Sequence, residues 1–175
     1  VHNGIIENHV ELREELESIL GNSVFRSQTD TEVIPHLIDH FLSKGLSFEK
    51  AFVGASKKLK GRFAFVALHK DESFILATRD GSPLVVGRGE DGYYLAYDMP
   101  AFLDYTSTVN FVENGEYVKC SEKSISFFNT KTGAPVKKEN KEIAWDKEKA
   151  SKGGWDHFMI KEIMSQKENL SLALK

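Results

Sequence analysis

The arrangement of apolar residues changes at Gly61, and this change most restricts the fold of the chain. Before Gly61, apolar residues recur with the spacing of one helix face, which predicts amphipathic helices. After Gly61, short β-branched and aromatic runs alternate with turn residues, which predicts a succession of strands. Helices followed by a long antiparallel meander are typical of an α+β fold, in which helices pack on sheet faces.

The individual segments follow from these two patterns. Predicted helices cover residues 8–20, 30–45 and 47–61, and predicted strands cover 24–27, 62–69, 73–78, 83–87, 93–97, 109–112, 116–120 and 124–129, with one or two helical turns at 100–105. Asn8 and Glu11 have the spacing of a capping box at the first helix. The runs 109–112 and 116–120 are expected to pair with each other across the turn residues between them.

Composition restricts the partners of the protein. The 23 basic residues against 26 acidic ones leave a net charge of −3, which favours neither nucleic acid nor a membrane surface as partner. No apolar run is long enough to cross a bilayer. The single cysteine, Cys120, excludes an intrachain disulfide and favours a reducing, cytoplasmic location. Apolar residues become sparse after Pro135, so we expect one domain over 1–135 and a linker with a terminal helical segment over 136–175.

The pair Asn3-Gly4 has two interpretations from its own chemistry. Asn-Gly is favoured in two-residue hairpin turns, because both residues tolerate positive φ. It can also form an oxyanion hole, with the Asn3 side-chain amide and the Gly4 backbone N–H as donors. For Asp30, local chemistry favours a cap on the helix that follows, and the second interpretation is a carboxylate that binds the ammonium group of a small ligand.

Other candidate sites are incomplete. His36 and His40 have a helical zinc-binding spacing, but no third ligand is evident, so boundary histidines are the favoured interpretation. Cys120 has no histidine near it in sequence and is interpreted as a strand residue rather than a nucleophile. The segment 87–89 carries two of the glycines of a phosphate-binding loop and is interpreted as a hairpin turn. We therefore predict no metal and no cofactor.

Four segments considered together resemble one family. They are His2-Asn3-Gly4-Ile5-Ile6-Glu7-Asn8-His9, Ser27-Gln28-Thr29-Asp30-Thr31-Glu32-Val33-Ile34, Arg79-Asp80-Gly81-Ser82-Pro83-Leu84-Val85-Val86-Gly87 and His157-Phe158-Met159-Ile160-Lys161-Glu162-Ile163. In this order they resemble the class II, N-terminal-nucleophile glutamine amidotransferase domain of the glucosamine-6-phosphate synthase family. The last segment is similar to the one that leads toward the sugar-isomerase half of those enzymes.

The resemblance implies a fold and a site. The fold is a four-layer αββα sandwich of two antiparallel sheets, here incomplete at its N-terminus. An N-terminal cysteine attacks the amide of L-glutamine, Asn3 and Gly4 correspond to the oxyanion hole, and Asp30 corresponds to the acid that binds the glutamine α-amino group. Ammonia then passes to isomerase domains that convert fructose-6-phosphate to glucosamine-6-phosphate. The full-length enzyme is expected to be a cytoplasmic homo-oligomer that binds neither nucleic acid nor membranes.

The resemblance also has departures. The N-terminal cysteine of the family and the isomerase domains are absent from this sequence, so we expect the 175-residue polypeptide alone to have no glutaminase activity. Two alternatives remain. One is another class II amidotransferase, such as amidophosphoribosyltransferase, although the segment 157–163 favours the sugar aminotransferase. The other is a non-catalytic domain that binds an amino acid.

Overall fold

The structure of the protein, a computed structural model, describes residues 1–21, 24–143 and 154–173. The chain divides into two compact units, Val1–Lys141 and Glu142–Lys175. The helices of the first unit lie where the apolar spacing predicts them: α1 is His9–Leu20, α2 is Val33–Ser43 and α3 is Phe48–Lys58, with a 3₁₀ turn, Asp30–Glu32, directly before α2.

Ten strands form two antiparallel sheets in the described part of the chain. They are β1 (His2–Ile6), β2 (Gly61–Leu68), β3 (Phe74–Asp80), β4 (Val85–Arg88), β5 (Tyr93–Ala96), β6 (Thr108–Phe111), β7 (Glu116–Ser121), β8 (Ile125–Asn129), β9 (Pro135–Val136) and β10 (Lys141–Glu142). The larger sheet has the order β1-β2-β3-β7-β8-β9, and the smaller has the order β10-β6-β4-β5. The predicted α+β class is therefore confirmed.

Side chains alternate between the two faces of the larger sheet, and each face contributes to a separate hydrophobic core. Phe63 and Phe65 of β2 point to one face, where they pack with the apolar sides of α1, α2 and α3. The intervening Ala64 and its neighbours on β3 and β7 point to the other face, where they pack against Val86 of β4 and against Leu84, which directly precedes β4. The first unit thus has a helix layer, a sheet and a second sheet in this order.

The expected pairing of 109–112 with 116–120 is wrong. The strand β6 pairs with β4 in the smaller sheet, whereas β7 pairs with β3 and β8 in the larger one. The residues between them carry the chain from one sheet to the other, and the Glu116 carboxylate there accepts a hydrogen bond of 2.8 Å from the Glu113 N–H. Alternation predicts each strand but carries no information about which sheet the strand joins.

Two short segments near the N-terminus also differ from local expectation. Asn3-Gly4 is not a hairpin turn, because both residues lie inside β1. Residues 24–27 do not form a strand. In this segment Arg26 and Ser27 donate their backbone N–H groups to the carboxylate of Glu32 and not to a neighbouring strand.

Asn8 precedes α1 as predicted, but its side chain does not cap the helix. Its Nδ2 donates to the carbonyl of Lys58 at 2.9 Å, and its Oδ1 accepts from the N–H of Lys60 at 2.8 Å. The Glu7 N–H also donates to the Lys60 carbonyl, at 2.8 Å. Asn8 therefore joins the end of β1 to the connection between α3 and β2, and the capping-box interpretation is wrong.

The substitution Asn8→Ser distinguishes these two roles. Serine is a good N-cap residue, so it would preserve stability if Asn8 acted as a cap. Serine cannot span the two backbone groups at 58 and 60, and we expect Asn8→Ser to lower the free energy of unfolding by about 1–2 kcal/mol, as much as Asn8→Ala does. Urea denaturation of both variants measures this. Full stability of Asn8→Ser beside a destabilised Asn8→Ala would restore the capping role.

The second unit contains α4, Phe158–Ala173. Several of its apolar side chains are exposed, among them Met159, Ile163 and Met164. Residues 144–153 of the predicted linker lie outside the described residues. No helix in the described part of the chain combines the length and the apolar character needed to cross a bilayer.

Candidate functional site

The strand β1 lies at the edge of the larger sheet and pairs only with β2 among the described strands. Val1 and Val66 exchange both backbone hydrogen bonds, each at 2.9 Å. Because hydrogen-bonded and non-hydrogen-bonded pairs alternate along an antiparallel ladder, Asn3 and Ile5 also bond inward to β2. The N–H groups of His2, Gly4 and Ile6 therefore point away from the sheet, along an edge that we call the open edge of β1.

An independent contact places Asp30 at the same edge. Its Oδ2 accepts a hydrogen bond of 2.7 Å from the N–H of Ile6. A strand advances about 3.4 Å per residue, so the outward N–H of Gly4 lies about 7 Å from that of Ile6. The structure thus brings two of the three predicted site residues together: a free backbone donor at Gly4 and a carboxylate at Asp30.

Asn3 is the third predicted site residue. It pairs with Ala64, so its side chain lies on the face of β1 that is directed away from α1, α2 and α3. The side chain is exposed, and within the described ranges no hydrogen bond engages its amide. Its NH₂ group is therefore available to a ligand at this edge.

Only glycine fits at position 4. Gly4 has φ of +113°, a region that side-chain-bearing residues rarely adopt. A Cβ at this position would lie 2.0 Å from the Arg62 carbonyl oxygen and 2.8 Å from both the Phe63 Cα and the Ser82 Oγ. The conformation and the close packing together keep the Gly4 peptide in place at the open edge.

His2 and Thr31 form a second link between β1 and the 3₁₀ turn. The Nδ1 of His2 and the hydroxyl of Thr31 are 2.9 Å apart. Burial lowers the pKa of His2 below its usual 6.5, against the opposing effect of the nearby Asp30, so the imidazole is neutral at neutral pH. Sequence reasoning missed this residue as a contact, although it lies directly before Asn3.

The Glu32 carboxylate was also missed, and it organises the residues before Asp30. It accepts hydrogen bonds of 2.8 Å from the backbone N–H groups of Arg26 and Ser27. The hydrogen bond from the Ser27 hydroxyl is the main reason that the pKa of Glu32 falls to about 2. Because this pKa lies below the ordinary value of 4.5, these bonds stabilise the fold fully above pH 4.5 and are lost as the pH falls toward 2.

A cavity of about 570 Å³ adjoins the open edge on the side of the helices. His2 and Thr31 lie at its border, and its walls are largely apolar, with Ile34 and Ile38 of α2 and Phe65 of β2. Its volume is in the range of small-molecule sites. Asp39 and His69 are polar members of this lining, whereas Gly4 and Asp30 do not line the cavity.

The remaining candidates do not form sites. His36 lies 3.5 Å from Glu32, and no cluster of three potential metal ligands occurs among the described residues. Cys120 is buried on β7, and burial raises the pKa of its thiol, which disfavours the thiolate. Gly89 follows β4, and its N–H donates to the Gly92 carbonyl at 2.9 Å in the connection to β5, as expected for a turn.

Comparison with known proteins identifies the family. Residues 1–104 match the model of a glutamine amidotransferase domain. The chain is 46% identical over 164 residues to glutamine–fructose-6-phosphate aminotransferase [isomerizing] of Methanothermobacter thermautotrophicus, and this match covers 93% of the chain and 27% of that relative. For the enzyme of the same name from Thermococcus kodakarensis, the identity is 47% over 167 residues, and the match covers 95% of this chain and 27% of that relative.

Two solved structures have a similar fold. Glutamine phosphoribosylpyrophosphate amidotransferase from B. subtilis, complexed with ADP and GMP, superimposes with a TM-score of 0.66 at 27% identity, over 77% of this chain and 29% of that one. A structure described as the allosteric regulatory enzyme of purine biosynthesis gives a TM-score of 0.64 at 27% identity, over 76% and 28% of the two chains.

The expectations from the sequence motifs and the family match agree, and the sheets and helices have the arrangement of an N-terminal-nucleophile amidotransferase. The chain spans about a quarter of the length of the curated relatives. It belongs to the glutamine amidotransferase domain family.

Proposed function

We propose that the open edge of β1 binds L-glutamine, with the Asp30 carboxylate on the α-amino group and the Gly4 N–H on the side-chain amide oxygen. One observation carries this proposal: the Asp30 carboxylate bonds to the Ile6 N–H on the same edge, and that N–H lies about 7 Å from the outward N–H of Gly4. In glutamine, bonds of about 1.2–1.5 Å separate the α-nitrogen from the amide oxygen by about 6 Å when the molecule is extended. The ligand therefore spans the two groups.

The same groups suit the chemistry of amide hydrolysis. Attack of a nucleophile on the amide carbon converts the carbonyl oxygen into an oxyanion, which the Gly4 N–H and the Asn3 NH₂ stabilise as donors. Collapse of that intermediate breaks the C–N bond, and the nitrogen takes up the proton lost by the nucleophile and leaves as ammonia. Water then hydrolyses the acyl group from the nucleophile and gives glutamate. The family resemblance assigns the attack to an N-terminal cysteine. Cys120, the single cysteine of this sequence, is buried on β7, away from the open edge.

We further propose that the chain is the glutaminase part of a glutamine–fructose-6-phosphate aminotransferase, in which the ammonia serves to form glucosamine-6-phosphate. The names of the relatives and their identity of 46–47% support this assignment. We place residues 1–135 in the glutaminase domain and residues 136–175 in the connection toward isomerase domains. The exposed apolar side chains of α4 support assembly into a homo-oligomer, and we place the protein in the cytoplasm.

Isotope transfer tests the proposal in the complete gene product. With glutamine labelled with ¹⁵N in the side-chain amide and fructose-6-phosphate as acceptor, we expect ¹⁵N-labelled glucosamine-6-phosphate, detected by mass spectrometry. Glutamine labelled in the α-amino group is the control and should transfer no label. Label transfer to phosphoribosylpyrophosphate in place of the hexose phosphate would contradict the assignment and favour an amidophosphoribosyltransferase.

A further inference from the structure

The loop before Asp30 donates two backbone N–H groups to one carboxylate, that of Glu32. Both oxygens of Glu32 are occupied: Oε1 accepts from the Arg26 N–H, and Oε2 accepts from the Ser27 N–H and, at 2.5 Å, from the Ser27 hydroxyl. Glu32 is the last residue of the 3₁₀ turn that begins with Asp30. Its side chain thus extends back past the turn and binds Arg26 and Ser27, which precede the turn.

The closed loop determines how the backbone arrives at Asp30. The Ser27 hydroxyl accepts a hydrogen bond of 3.3 Å from the Thr29 N–H and lies 3.0 Å from the Thr29 hydroxyl. Thr29 is extended, with φ of −72° and ψ of 142°, and the turn starts at the next residue. The Ser27 hydroxyl therefore connects the Glu32 carboxylate to the residue that precedes Asp30.

Side chains of α1 and α2 hold this arrangement from outside. His36 of α2 lies 3.5 Å from Glu32, and its ring packs edge-on against Phe25 with centroids 4.6 Å apart. Arg13 of α1 lies 4.1 Å from the Phe25 ring centroid and donates to the Ser27 carbonyl at 2.9 Å. The loop is therefore preorganised by groups that belong to the folded helices.

We infer that Glu32 is a positioning residue for the glutamine α-amino group, because it fixes the backbone that carries the Asp30 carboxylate. This inference rests on the proposed function, in which Asp30 binds that amino group. Asp30 keeps one oxygen on the Ile6 N–H at 2.7 Å, so a shift of the loop changes where its other oxygen points. Charge-assisted hydrogen bonds depend strongly on that direction.

A pair of ligands isolates this effect. L-glutamate and glutarate share one carbon chain, but glutarate lacks the α-amino group, and neither is consumed by hydrolysis. Calorimetric titration of the complete gene product should show tighter binding of L-glutamate. In Glu32→Gln, which loses the carboxylate charge, we expect L-glutamate binding to weaken about 10-fold while glutarate binding changes less than about 2-fold. Ser27→Ala removes the hydroxyl link alone and should give the same pattern, with a loss of about 3-fold.

Control variants distinguish the positioning role of Glu32 from the amino-group contact of Asp30 on which it rests. Glu14→Gln removes an exposed charge on α1 and should change neither affinity. If the unsubstituted protein binds both ligands equally, or neither, the proposed amino-group contact is wrong and the inference fails with it. If the unsubstituted protein prefers L-glutamate, Asp30→Asn abolishes that preference and Glu32→Gln retains it, the function stands and the inference is overturned. Equal weakening of both ligands in Glu32→Gln would also overturn it.

Discussion

Gly4→Ala is expected to lower the free energy of unfolding by about 3 kcal/mol or more and to abolish glutamine hydrolysis. An alanine there must adopt the φ of +113° found at Gly4, a strain of about 1–3 kcal/mol. Its Cβ would also lie 2.0 Å from the Arg62 carbonyl oxygen, which belongs to the backbone of β2 and cannot rotate away. Relief of this overlap separates β1 from β2 and displaces the donor at the open edge.

Gly45→Ala is the matched control for this substitution. Gly45 also has positive φ, +82°, but no described atom lies within 4 Å of the Cβ that alanine would add. It should therefore show only the conformational cost of about 1 kcal/mol and retain activity. Urea denaturation of both variants, and their glutamine turnover in the complete gene product, provide the comparison. Equal destabilisation of the two variants would contradict the role of close packing at Gly4.

Asn3→Ala is expected to lower kcat for glutamine hydrolysis by about 100-fold or more while KM changes less than about 3-fold. An oxyanion-hole donor acts in the transition state and not in the ground state, and loss of one such donor costs about 10²–10³ in kcat. The Asn3 side chain is exposed and makes no hydrogen bond within the described residues, so its removal should change stability by less than about 0.5 kcal/mol.

Two further variants complete the test of Asn3. Asn3→Asp keeps the shape of the side chain but replaces its NH₂ donor by an oxygen, so kcat should fall at least as far as in the alanine variant. Gln166→Ala removes an exposed amide on α4 and should leave both constants unchanged. Steady-state kinetics of the complete gene product provide the readout. An unchanged kcat in both Asn3 variants would remove this residue from the oxyanion hole.

Local pattern predicted most elements of the fold, since helix spacing and strand alternation are properties of neighbouring residues. It failed where the outcome depends on distant partners. The separation of β6 from β7 into different sheets is one such case, because both runs alternate equally well. Asn8 is another: its position before α1 was correct, but its side chain binds Lys58 and Lys60, about fifty residues away.

In the candidate site, too, the local sequence did not reveal the contacts that depend on the folded chain. Asn3, Gly4 and Asp30 were selected by the family resemblance, whereas local chemistry alone favoured a turn and a helix cap. Glu32 was not selected, although Thr29 and Glu32 have the spacing of a capping box. That spacing could have drawn attention to Glu32, but its true partners are Arg26 and Ser27. Only the folded loop reveals them.

The donors at the open edge of β1 are peptide groups, and this affects how the site can change during evolution. Substitution of a side chain leaves the N–H of its residue in place, so most exchanges along β1 preserve the direction of these donors. A single inserted or deleted residue instead shifts the ladder with β2 by one position and turns the outward N–H groups inward. Along β1, we therefore expect the length of the strand to be constrained first, and residue identity only at Gly4 and Asn3.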